Sequence, residues 1–114
     1  MSLYRHKPGK RMSEAVVVNG LIYTVQVPES GQGDARAQTA ETLGLIDTVL
    51  AELDSDKSKI VEATIFLTDL ADFDAMNEAW DAWVAEGNAP VRCTVQAKLA
   101  HPDWKIEIRI VASR

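Results

Sequence analysis

Between residues 91 and 110 the chain alternates with period two in two stretches. Val91, Cys93, Val95 and Ala97 fall on one side of the first, and Arg92, Thr94, Gln96 and Lys98 on the other. In the second, Trp104, Ile106, Ile108 and Ile110 oppose Lys105, Glu107 and Arg109. Alternation of this kind predicts two strands, each with one face in a core. By parity Cys93 points inward, while Arg92, Thr94 and Glu107 point outward. Upstream, residues 3–6 read as a short opening strand, closed by the turn sequence KPGKR. Residues 15–18 and 21–27 flank Asn19-Gly20, a pair that tolerates the positive φ values of a two-residue type I′ loop and so predicts a hairpin.

Helical periodicity takes over after the polar loop of residues 28–33. Asp34 is placed to cap a long helix reaching about residue 53, with Ala35, Thr39, Leu43, Ile46, Leu50 and Leu53 on its buried stripe. Gly44 inside that helix is read as a point of close packing against a sheet. Residues 59–68 form the next strand. Val61, Ala63, Ile65 and Leu67 line one face, Ile60, Thr64 and Phe66 the other, so an internal strand covered on both sides is expected. Thr68-Asp69-Leu70 opens a second helix over about residues 71–86, with Phe73, Met76, Trp80, Trp83 and Val84 inward and Gly87 as its stop.

The element order is therefore β-β-β-α-β-α-β-β: an α+β chain, one domain over residues 1–114, with a mixed sheet and two helices on one face. Nothing remains to cover the other face, which by this reading carries Ile60, Thr64, Phe66, Arg92, Thr94, Gln96, Glu107 and Arg109. An apolar middle with a charged and hydroxyl rim predicts a partner subunit there. The number of subunits stays open.

Composition narrows the classes of function. A net charge of -5 over 114 residues gives no footprint for DNA or RNA, and Arg5, Lys7, Lys10 and Arg11 read as a solvated turn. A single cysteine excludes an internal disulfide and a metal site built from several thiolates. The two histidines, His6 and His101, lie far apart without a carboxylate at ligand spacing, so no metal is expected. No leader pattern and no apolar run near the ~20 residues of a membrane span is present, so a cytoplasmic protein without a membrane partner is expected.

Arg92 is the sharpest candidate for chemistry. Its guanidinium can grip a carboxylate through two parallel hydrogen bonds; an interface salt bridge is the competing role. Thr94 follows on the same face with one hydroxyl. Glu107, between two isoleucines, suits acid–base work if held against apolar surface, and otherwise pairs with Lys105, Arg109 or a partner's arginine. Asn77 is a helix-surface group or a ligand contact. Cys93 reads as a small core residue, and Trp80 and Trp83 as core aromatics. His101-Pro102-Asp103 is a turn. No G-x-S-x-G segment is present, and Gly31-Gln32-Gly33 is too short for a phosphate loop.

The segments SEAVVVNGLIY, ATIFLTDLADFDAMNEAWDAW, APVRCTVQAKL and KIEIRIVA, in that order and spacing, resemble the Rid (reactive intermediate deaminase, YjgF-like) family over nearly the whole chain. The resemblance implies a chorismate-mutase-like fold and a homotrimer with three clefts between subunits. It also implies cofactor-independent hydrolysis of enamines and imines, such as 2-aminoacrylate, to 2-oxo acids and ammonia. Arg92 matches the family's carboxylate clamp and Glu107 its water-orienting glutamate. Asn77 matches a cleft asparagine, Thr94 a ligand-binding position often occupied by cysteine, and Thr24 a small residue that precedes a glycine. Three positions depart from the pattern: Val25 replaces that glycine, Met12 a common aromatic, and Arg109 a residue that is often acidic. The alternative is a non-catalytic trimer that binds small 2-oxo carboxylates in the same cleft. A translation inhibitor or RNA-cleaving protein is the third reading, and the acidic charge argues against it.

Overall fold

A computed structural model describes residues 2–114. Its strands are β1 (Leu3–Pro8), β2 (Ser13–Val18), β3 (Leu21–Gln26), β4 (Ile60–Leu67), β5 (Val91–Gln96) and β6 (Ile106–Ser113), with helices α1 (Ala35–Glu52) and α2 (Phe73–Trp83). The predicted order holds. All six strands form one sheet in the order β1-β2-β3-β6-β4-β5. Only β4 and β5 are parallel, and α2 is the crossover that parallel pairing requires. The last strand thus lies between β3 and β4, so the sheet is complete only when the C-terminal end has joined it.

Local chemistry sets these elements. Asn19 and Gly20 take φ values of 53° and 73°, as the hairpin requires. Asp34 caps α1 by accepting from the Ala37 amide at 2.9 Å. The α1 stripe packs on Ile22, Ile65, Ile108 and Ile110, and this side of the sheet with both helices makes the core. Gly44 does not pack closely: it lies on the exposed side of α1, and a Cβ there would meet nothing within 4 Å. The second helix is also shorter than expected. A 3-10 turn occupies Leu70–Asp72, and Val84 leaves the helix with ψ 140°, three residues before Gly87.

Register defines which side chains share a face. On the helix side one row runs His6, Ala15, Thr24, Ile110, Ala63, Arg92, and the next Gln26, Ile108, Ile65, Thr94. On the open side the rows run Val16, Tyr23, Val111, Glu62, Val91, then Val25, Arg109, Thr64, Cys93, then Glu107, Phe66, Val95. Thr64, Phe66, Glu107 and Arg109 therefore lie on the uncovered face as expected, but Arg92, Thr94 and Gln96 do not. They lie on the helix side, and Cys93, with Val91 and Val95, takes the open side instead of the core. Apolar alternation on this edge strand marks the open face, because α2 covers the other side with aromatic rings that accept an arginine. Ile60 is also displaced from the open face into the core. An irregularity between Ile60 and Glu62 inserts Val61 as an extra residue, and this reverses parity at the start of β4.

Candidate functional site

Arg92 sits where β5 passes beneath α2. Gly87, at φ 77°, and the Asn88 amide bonded to the Ala85 carbonyl turn the chain after α2, and Pro90 keeps the residue before it extended. The register Ala63–Arg92 then aims the arginine at the helix. Its guanidinium carbon lies 5.0 Å from the Trp80 ring centroid and 5.9 Å from that of Phe73. One terminal nitrogen is 3.8 Å from the Met76 sulfur. Among the described residues no carboxylate lies within ion-pairing distance of it. Asn77, four residues after Phe73 and three before Trp80, lies on the same flank of α2. Thr94 is half-buried two residues farther along β5.

Glu107 belongs to a different environment. It is half-buried on the open side, paired across the ladder with Phe66. Arg109, its neighbour two residues on, turns to Glu62 at 3.6 Å rather than to Glu107. Arg92 and Glu107 therefore occupy opposite faces of the sheet, and a single chain does not bring them together. Thr24 shares Arg92's row, but its hydroxyl is buried and donates to the Glu14 carbonyl at 2.7 Å, while Gln26 donates to the Thr24 oxygen at 3.1 Å. What Thr24 and Val25 offer is a wall. With Met12, Glu14, Tyr23 and Arg109 they line a hollow of about 320 Å³ on the open side. A second hollow, of about 270 Å³, lies at the β4–β5 margin between Glu62, Thr64, Arg92 and Cys93. Met12, Val25 and Arg109, the three positions that depart from the family pattern, all fall in the first hollow. A third, of about 470 Å³ between α1 and α2, holds none of these residues.

By spacing Phe73, Met76 and Trp80 read as core alone; the structure adds their contact with Arg92. The signal was present: positions 73, 76, 77 and 80 form one helical stripe, and a parallel β4–β5 pair obliges the intervening helix to cross over β5. Among the described residues no three His, Cys, Asp or Glu side chains gather as a metal site would need, and no helix is long and apolar enough to cross a membrane.

A mixed six-stranded sheet with two helices on one face puts the chain in the α+β class, with Arg92 at the sheet margin lacking an acid partner among the described residues. The family model described as Endoribonuclease L-PSP matches residues 4–114. The chain is 53% identical to the RutC family protein YoaB of Escherichia coli over 113 residues, covering 99% of each chain. It is 48% identical to a RutC family protein of Haemophilus influenzae, again over 99% of each. A crystal structure of a YjgF family member from Neisseria meningitidis superposes with a TM-score of 0.95 at 46% identity, covering 100% of this chain and 96% of that one. The chain belongs to the Rid family, also called YjgF or RutC.

Proposed function

We propose that this protein hydrolyses short 2-imino acids and their enamine tautomers to 2-oxo acids and ammonia, in clefts between subunits of a homotrimer. Family membership supports a deaminase-like or small-molecule-binding role. The observation that carries the finer reading is Arg92: a partly buried cation at the sheet margin with no carboxylate of its own. A guanidinium left in that state is complementary to an incoming carboxylate. Because Glu107 lies on the other face, the cleft takes Arg92, Thr94 and Asn77 from one subunit and Glu107, with the wall at Val25 that Thr24 supports from behind, from the open face of the next. The apolar open side, with Tyr23, Val25, Val91 and Val95 exposed in the single chain, is the surface such a neighbour would cover.

In that cleft Arg92 fixes the substrate carboxylate and Glu107 orients water toward the iminium carbon. Water adds across the C=N bond as Glu107 takes its proton, giving a carbinolamine. Glu107 passes that proton to the nitrogen, the C–N bond breaks, and ammonia leaves as Glu107 takes the hydroxyl proton and the C=O bond forms. Orientation and placement of charge supply the rate, since the same hydrolysis proceeds in water.

The test generates an imino acid with an amino acid oxidase and traps what remains with semicarbazide. Wild type should deplete the trapped product, and R92A and E107A should each fail to do so. Trapping unchanged by wild type, with 2-oxo acid binding lost in R92A alone, would replace hydrolysis by the non-catalytic binder. The endoribonuclease description of the family model gains no support from this chain's net charge of -5.

A further inference from the structure

We infer that Phe73 and Trp80 are positioning residues for Arg92: two aromatic faces hold the guanidinium in one orientation without neutralising it, so that its charge and in-plane donors serve an external carboxylate. This rests on the proposed ligand site and extends it to residues that touch the arginine and not the reacting atoms.

An arginine in a protein is commonly oriented by an acid, which also consumes its charge and its paired N–H donors. Here the neighbours on α2 are two rings, at 5.0 and 5.9 Å, and a thioether sulfur at 3.8 Å. Aromatic faces attract a cation through their quadrupole and lie against the flat guanidinium, so its in-plane donors remain free apart from the one terminal nitrogen that meets the Met76 sulfur. The two rings are not equivalent. Trp80 is buried at 6% exposure and belongs to the core, whereas Phe73 is 39% exposed and forms the outer side of the clamp. Phe73 therefore decides whether the guanidinium is fixed or swings toward solvent, and it can be altered without opening the core.

The experiment follows the Arg92 side-chain Nε–Hε resonance by NMR, assigned by its absence in R92K, in wild type, F73L, F73Y and W80F. Pyruvate affinity and thermal stability are measured on the same samples. Wild type should show a ring-shifted, motionally restricted resonance. F73Y and W80F, which keep a ring, should retain it. F73L should lose it and bind pyruvate about three- to tenfold more weakly, the range a partly desolvated cation–π contact spans. In turnover the loss should appear in KM with kcat nearly unchanged, since carboxylate anchoring is shared by ground and transition states. An Arg92 resonance that is unshifted in wild type, or unchanged in F73L, overturns the inference. So does equal loss in F73L and F73Y, which would mean that shape and not an aromatic face matters. A ring-shifted, F73L-sensitive resonance in a protein that binds no carboxylate upholds the clamp and defeats the proposed function instead.

Discussion

The two faces of this sheet are built from the same kinds of residue and meet different fates. On the helix side Ile22, Ile65, Ile108 and Ile110 are sealed by α1 and α2, and the chain satisfies itself. On the open side Val25, Phe66, Val91 and Val95 alternate just as regularly but meet no element of their own chain. Apolar alternation therefore reports that a face will be covered, not by what. Charge follows the same division. Arg92, on the covered side, has rings for neighbours and no acid, while Arg109, on the open side, already has Glu62 at 3.6 Å. What sets Arg92 apart from the solvated lysines and arginines is that it is partly buried between rings and still has no acid beside it among the described residues.

The largest effect should come from the covered face. I108A removes most of a fully buried side chain from the middle strand of the core and should cost about 2–5 kcal/mol of unfolding free energy, read from denaturant titration. The matching change outside, F66E, should leave the far-ultraviolet circular dichroism of the fold intact and instead reduce the sedimentation mass toward one subunit. A mass already that of a single chain in wild type would break the comparison, because the open face would then be a solvated one.

Much of the architecture is legible in the sequence. The Asn19-Gly20 turn, the Asp34 cap and the α1 stripe each rest on local chemistry, and each stands in the structure. Face assignment on β5 was not legible. Its parity hangs on one long-range register, Ala63 with Arg92, and nothing local to β5 encodes that. The start of β4 failed for a related reason: a single inserted residue, Val61, reverses the order of faces, and a bulge leaves no mark on composition. Of the candidate site, the identity of Arg92 is legible alone, while its aromatic neighbours become legible only when their helical stripe is combined with the parallel β4–β5 pairing, since rings at helical spacing by themselves read as core.

A third surface sharpens the contrast, because the outer side of α1 faces solvent with no partner proposed. A Cβ at Gly44 would meet nothing within 4 Å, and its φ lies outside the left-handed region. G44A should therefore stabilise the fold by about 0.5–1 kcal/mol through helix propensity and a less flexible unfolded chain. Equilibrium denaturation measures the gain, and the sedimentation mass should not move.

The smallest effect concerns the rim of the sheet at β1. Glu52, the last residue of α1, accepts from His6 at 2.8 Å and from Lys7 at 2.9 Å, tying the edge strand to the helix end. Its carboxyl is held below the usual value of 4.5 by the His6 hydrogen bond first and the Lys7 bond next, and Lys7 is correspondingly raised above 10.5. A lowered acid stabilises the fold above its unfolded value, and that contribution disappears as pH falls through the lower folded one. A raised lysine stabilises below 10.5 and is lost as pH climbs through the higher folded value. Both contributions are full between about pH 5 and pH 10. These groups are solvent-accessible, so the effect is small and weakened by salt. E52Q should flatten the acid limb of the stability–pH curve, read from denaturant titrations at a series of pH values. An acid limb unchanged in E52Q would mean that the clip adds nothing to the fold and that the edge strand is held by its ladder to β2 alone.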